Sequence, residues 1–260
     1  LLKPIKKIRL FNYLRKLRLE TVQKNIETAK ELISASNIVE SMLNLVNAFS
    51  NKIVFSTSFS NEDQLISHLI FSNQISISVF TLDTGRLFTE TYSTWARTTE
   101  LYQQKITAFY PAESVLQNFV TEKGPNSFYE SVENRKQCCY LRKVEPLQRA
   151  LKDKTIWITG IRAEHSNGRN DMPLVEYDNV NKIIKYHPLL HWTSQDVNDF
   201  IKANNIPYNP LTNKGFVSIG CQPCTRALQP GEDFRAGRWW WEDNNKKECG
   251  LHVHTTTELT

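Results

Sequence analysis

The sequence lacks any apolar run approaching the roughly 18–20 residues that span a bilayer, which excludes a helical integral membrane protein. A secretory leader is missing too. Residues 1–18 hold seven Lys or Arg (Lys3, Lys6, Lys7, Arg9, Arg15, Lys16 and Arg18) but no apolar stretch and no small-residue cleavage site, so the default location is cytoplasmic. That basic segment reads as a solvated lead-in to a helix, with an organellar transit segment or an anion-steering arm as alternatives. A large charge excess is absent: 32 basic residues against 27 acidic leave +5, which suits an anionic ligand better than wrapping nucleic acid. There is no internal repeat, no low-complexity segment and no G-x-x-x-x-G-K-[ST] phosphate loop. Cysteines are few and odd in number, five in 260 residues, and a chain of this length needs no disulfide staples. A disulfide framework is thereby disfavoured, and a reduced compartment with a metal or redox role is the better expectation.

What is present suffices for a core. Hydrophobic residues make up 40% and aromatics 11%, and the length fits one large domain or two small ones. The first 50 residues read as helical, with Ile26, Ile33, Ile38, Leu43 and Val46 as the apolar positions. The period then changes. Residues 52–58 (KIVFSTS), 75–82 (ISISVFTL), 105–110 (KITAFY) and 155–159 (TIWIT) read as strands, alternating with helices at 64–71, 88–104 and 112–120. Such alternation predicts a parallel α/β sheet covered by helices. A hairpin (174–177 with 182–186) and a helix at 193–204 follow, and after Pro207 the chain reads as loop-dominated. We therefore divide it into a helical segment (1–50), a cysteine-bearing α/β domain (51–225) and a C-terminal tail (226–260).

Ligands of parallel sheets bind beyond the carboxyl ends of the strands. The candidate loops are 56–63, 83–86, the region after Tyr110, and 160–169. In the first, the run S-T-S-F-S-N-E-D can cap a helix or offer N–H groups and hydroxyls to an anion. Adjacent Cys138 and Cys139, with Cys221-x-x-Cys224, form two tight pairs that can converge as four thiolates on zinc or an iron–sulfur cluster. A cluster offers separate irons to the adjacent pair. Arg135, Lys136, Arg142 and Lys143 crowd that pair with positive charge. Cys249 stands alone between Lys246-Lys247 and His252, a setting that favours its thiolate, though a free surface cysteine has the same local look. Arg235 and Arg238 supply two guanidinium forks suited to phosphate or sulfate oxygens. Beside them, Trp239, Trp240 and Trp241 suit a core, an interface or a water shield.

The segments T-S-F-S-N-E-D-Q, F-T-L-D-T-G-R-L, C-C-Y-L-R-K-V-E-P-L, W-I-T-G-I-R, S-I-G-C-Q-P-C-T-R, G-E-D-F-R-A-G-R-W-W-W-E and K-K-E-C-G-L-H occur here in that order. Together they resemble the phosphoadenylyl/adenylyl-sulfate reductase family of assimilatory sulfate reduction, from about residue 50 to 252. The resemblance implies an adenine-nucleotide α-hydrolase-like fold, in which Cys249 attacks the sulfur of a sulfo-nucleotide to give an S-sulfocysteine. Thioredoxin or glutaredoxin thiols then release sulfite. It further implies that Ser58, Ser60, Asp63, Asp83, Gly160, Arg169, Lys143, Arg235, Arg238 and His252 bind substrate. Cys138, Cys139, Cys221 and Cys224 would hold one [4Fe–4S] cluster. Family members with both cysteine pairs mostly prefer adenylyl sulfate over 3′-phosphoadenylyl sulfate, so adenylyl sulfate is the expected substrate, with the 3′-phosphorylated nucleotide or dual use as the alternative. Eleven residues follow Cys249, too few for an appended thioredoxin-like domain, so the reductant is expected from outside. The family also makes a homo-oligomer an expectation. The sequence departs from the family at Ser60, Asn61 and the run Arg162-Ala163-Glu164-His165-Ser166. A zinc-stabilised nucleic-acid-binding module is the reading from another class, and the modest charge speaks against it.

Overall fold

The computed structural model describes residues 2–165 and 171–242. A six-stranded sheet has the order β3-β2-β1-β4-β6-β5, from β1 (Ile53–Ser56), β2 (Ser78–Leu82), β3 (Thr107–Phe109), β4 (Ile156–Ile158), β5 (Val175–Asp178) and β6 (Ile183–Tyr186). All neighbours are parallel except the edge hairpin of β5 with β6. The α/β expectation therefore holds, and the hairpin contributes the one antiparallel edge.

The side-chain period of two sorts the strands between two cores. Ile53, Phe55, Val79, Ile156, Ile158, Ile184 and Tyr186 face one side, where they pack with Ile26 and Ala29 of α1 (Leu2–Leu32), Met42 and Leu45 of α2 (Ile38–Phe49), Leu65, Ile66 and Ile70 of α3 (Asn61–Ser72), and Val197 and Ile201 of α8 (Ser194–Ala203). Val54, Phe80, Trp157 and Ile183 face the other side and meet Leu147, Ala150 and Leu151 of α7 (Glu145–Leu151). A third cluster joins Phe119 of α5 (Glu113–Lys123) to Phe128, Trp239 and three of the cysteines. The remaining helices are α4 (Thr89–Tyr102) and α6 (Val132–Cys139).

Two details correct the sequence reading. The leading helix breaks before Asn37, whose side chain accepts the Glu40 N–H (3.0 Å) and restarts the chain as α2. The buried stripe of α2 is then Ile38, Ser41, Met42 and Leu45, which leaves Leu43 43% exposed rather than in the core. Residues 75–77 also stay outside the sheet, because the Ile75 N–H turns back to the Ile70 carbonyl (2.9 Å).

The chain runs from β1 outward to β3, then returns to lay β4 on the other flank of β1. That reversal opens a crevice at the carboxyl ends of β1 and β4. Among the described residues no helix is long and apolar enough to cross a membrane.

Candidate functional site

A cavity of about 280 Å³ fills that crevice. Ser56, Ser58, Ser60 and Asp63 beyond β1, Thr81 and Thr84 at β2, and Trp157, Thr159 and Gly160 at β4 line it. The first loop is built for rigidity. Phe59 sits at φ 60, in the left-handed region that non-glycine residues avoid, and is fully buried in a stack on Trp95 (5.5 Å). This aromatic anchor, between the two serines, escaped the sequence reading. Ser60 does cap α3, accepting the Asp63 N–H at 3.4 Å. The Asp63 carboxylate returns to the loop and accepts both the N–H (2.6 Å) and the hydroxyl (2.7 Å) of Ser58. The cap and the cavity wall are the same residues.

Burial pushes the Asp63 carboxyl from 3.8 up to about 6, against the opposing Ser58 hydrogen bonds. The sign of its effect on stability follows. Near pH 3 both folded and unfolded chains hold the proton; from 3.8 to about 6 the unfolded chain has released it and the folded chain has not. Above that window the folded state carries the ion. Asp63 therefore lowers stability as pH rises from 3.8 to 6, by about 3 kcal/mol in all. Denaturant melts of the wild type and Asp63→Asn across that window test this: the difference between them should shrink or reverse as pH rises, and parallel curves would refute the assignment.

Gly160 has no alternative. A Cβ there would lie 2.2 Å from Asp63 Oδ1. Gly160→Ala should displace the carboxylate from Ser58 and cost about 1–3 kcal/mol of stability, which a denaturant melt measures. Arg162, 2% exposed, ties the same two loops together: its Nε donates to Glu62 (2.9 Å), Nη2 to the Ser194 hydroxyl (2.9 Å) and Nη1 to the Trp192 carbonyl (3.1 Å).

Asp83 is placed differently from the expectation. Its carboxylate accepts the Gly85 N–H and the Tyr92 hydroxyl, both at 2.8 Å, and so shapes the turn instead of lining the cavity. Its neighbour Thr84 faces the cavity, and Thr84 Oγ1 also lies 3.3 Å from Cys221 Sγ.

Behind Thr84 is a second, narrow cavity lined by Cys138, Cys139, Cys221 and Cys224 together with Arg86, Arg135, Arg142 and Lys143. The sequence pairs thus converge. Cys138 and Cys139 end α6, which Ser131 caps by accepting the Asn134 N–H (3.1 Å), and the next turn widens into π-helix over Tyr140–Val144. Cys221 and Cys224 bracket a tight turn, Cys224 N–H to Cys221 carbonyl at 3.0 Å. No disulfide joins any two of the four. Burial raises the Cys138 thiol, against Arg142, and takes Cys224 up to about 12, with Cys221 adding to burial and Lys143 and Arg238 opposing it. Among the described residues no three ligating side chains converge as a single-ion site; the four thiols form cavity walls. Four sulfur donors inside a ring of cations fit an anionic thiolate-bound cluster.

Lys143 lines both cavities. Arg238, 8% exposed, lays its guanidinium against Gly220, where a Cβ would fall 2.4 Å from Nη2, and Gly220 lines the first cavity. Its buried Nε has no hydrogen-bond partner. Arg235 is half-buried in the preceding turn, its carbonyl accepting the Arg238 N–H (2.9 Å). Of the tryptophans, Trp239 is buried, Trp241 packs on Phe128 and Tyr129, and Trp240 is exposed. Arg169, Cys249 and His252 lie outside the described residues, as do Lys246 and Lys247.

The phosphoadenosine phosphosulfate reductase domain matches residues 52–227. The chain is 46% identical over 229 residues to the adenosine 5′-phosphosulfate reductase of Burkholderia cepacia, covering 88% of this chain and 92% of that one. It is 42% identical over 236 residues to the enzyme of the same name from Neisseria meningitidis, covering 90% and 96%. Among solved structures it is similar to phosphoadenylyl-sulfate reductase from Candida auris in a phosphate complex, with a TM-score of 0.63, 27% identity, and coverage of 80% of this chain and 97% of that one.

Proposed function

The chain belongs to the phosphoadenosine phosphosulfate reductase domain family, and from that premise we propose that it reduces adenylyl sulfate to sulfite and AMP. One observation carries the reading: the cavity at the strand ends and the four-cysteine cavity share Lys143, with Arg238 against the wall of the first. Cations thus stand where a nucleotide in the first cavity would present its sulfo end. The names of the Burkholderia and Neisseria relatives support the substrate.

In the proposed reaction the Cys249 thiolate attacks the sulfur of the sulfo group. The bond from that sulfur to the bridging oxygen breaks, AMP leaves with the electron pair, and Cys249 becomes S-sulfocysteine. A thiolate of thioredoxin, or of glutaredoxin, then attacks the Cys249 sulfur, and sulfite leaves with the bonding pair. The donor's second thiol resolves the mixed disulfide, so the donor is oxidised and Cys249 returns as thiolate. Ser58, Ser60, Asp63 and Gly160 hold the nucleotide, while Lys143, Arg169, Arg235, Arg238 and His252 meet the phosphate and sulfate oxygens. Cys138, Cys139, Cys221 and Cys224 hold a [4Fe–4S] cluster, which supplies fixed charge and order to the site. Thiol donors of this kind belong to the reduced cytoplasm.

The second reading keeps the chemistry and exchanges the substrate for 3′-phosphoadenylyl sulfate, which the name of the Candida auris neighbour favours. Sulfite release from each nucleotide with reduced thioredoxin decides between them. A preference for adenylyl sulfate of at least about tenfold in kcat/KM is expected, equal rates would end the claim of preference, and sulfite from neither would end the proposal.

A further inference from the structure

Arg135 and Glu242 stand 107 residues apart and meet in a two-point ion pair, Nε to Oε1 at 2.8 Å and Nη2 to Oε2 at 2.7 Å. Their side chains are 1% and 5% exposed. Desolvation of two buried charges roughly cancels their attraction, so stability is a weak reason for such a pair. Its other contacts are more informative. Arg135 precedes Cys138 by three residues and Cys139 by four, which puts all three on one side of α6. Its guanidinium shares the lining of the narrow cavity with Cys139 and lies over the Trp239 ring, 4.6 Å from the centroid.

The same indole carries a second guanidinium, that of Arg238, at 4.8 Å. Trp239 is itself fixed at φ 43, with its N–H on the Cys224 carbonyl (3.2 Å). Arg238 in turn rests on Gly220 at the wall of the nucleotide cavity. Contacts therefore run from the cysteines through Arg135 and Trp239 to Arg238.

We infer that Arg135 and Glu242 are positioning residues for the sulfur transfer. Through Trp239 they set the Arg238 guanidinium beside the nucleotide cavity. This rests on the reading of Cys249 as nucleophile. Neither residue touches the nucleotide cavity, so nucleotide binding and sulfur transfer should separate when the pair is broken.

Arg135→Lys keeps the charge but loses the fork and the planar stack; Glu242→Gln keeps the shape but loses the charge. In single-turnover experiments with adenylyl sulfate, each should form the sulfo-enzyme about 100-fold more slowly than wild type. The affinity for adenosine, which lacks the phosphate that Arg238 meets, should stay within about threefold, and the double variant within about threefold of either single, because both changes break one contact. The visible spectrum reports whether the four-cysteine centre is retained. Wild-type rates in Glu242→Gln would overturn the inference. So would adenosine affinity falling in step with rate, or a double variant whose losses multiply. Glu242→Gln, the closer in shape, carries the test alone if Arg135→Lys does not fold. A wild-type enzyme that forms no adduct overturns the nucleophile reading and this inference with it, and does so in the control rather than in the variants.

Discussion

Cys249→Ser, purified without oxygen and mixed with adenylyl sulfate, should bind the nucleotide as the wild type does and form no sulfo-enzyme. The cause is nucleophile chemistry. A serine hydroxyl needs an adjacent base to reach useful nucleophilicity, whereas a cysteine attacks through its thiolate, which neighbouring cations favour. Lys246, Lys247 and His252 flank Cys249 in the sequence, so the substitution removes the one side chain that this setting activates. The fall in sulfite release should be at least about 10⁴-fold, the scale on which removing a nucleophile operates when positioning and electrostatics remain. Chain length permits the assignment: Cys249 follows Glu242 by seven residues, a reach of up to about 25 Å of extended chain. Mass spectrometry of the intact chain after nucleotide addition is the direct measurement. One added sulfo group should appear on the wild type and be absent from the variant. Its persistence in Cys249→Ser would remove that residue from the role, while unchanged iron content would show that the variant's fault is local.

The parts of this site legible in the sequence are those with a local signature. The β-branched and aromatic runs at 52–58 and 155–159 announced the two central strands, because a strand buried on both faces reads as a short continuous apolar run. The cysteine pairs were visible as spacings, and the chemistry of four thiols does not depend on knowing the fold. Gly160 was found through its place at a strand end, yet the reason no other residue fits there, the Asp63 carboxylate, is a tertiary fact.

What escaped were partnerships across distance. Arg162 and Glu62 are 100 residues apart, and Arg135 and Glu242 are 107. A buried Arg looks the same as a surface Arg until its partner arrives. Asp83 has partners that its sequence position does not announce: its carboxylate accepts the Gly85 and Tyr92 hydrogen bonds that form the turn. Leu43 shows the limit of counting apolar residues without the helix start, since Asn37 reset the phase.

Replacing Cys224 by Ser should have the second large effect, and it tests the other half of the site. Cys224 is 8% exposed, shares its cavity with Cys138, Cys139 and Cys221, and as a thiol is held protonated by burial and by its sulfur neighbours. A Cys224 thiolate bound to iron would give up that proton, and Arg135, Arg142 and Lys143, which line the same cavity, would face its negative charge. A serine oxygen is a poor substitute in a soft-ligand site, and its hydroxyl, left buried and unmatched, costs about 1–3 kcal/mol. With three thiolates remaining, iron should fall from about four per chain to below one, and the brown absorbance should go with it. Because metal bound to the folded state alone stabilises it by mass action, the melting midpoint should drop by at least about 5 °C. Wild type stripped with a chelator should melt near the same temperature, which separates loss of cluster from the packing defect of the serine itself. Sulfite release should fall at least about 100-fold in both preparations, since the cations that meet the substrate would be free to turn into the emptied space. Full iron content and wild-type turnover in Cys224→Ser would defeat the four-cysteine assignment. Zinc in place of iron in the anaerobically purified wild type would leave the ligands standing and return the centre to a structural role.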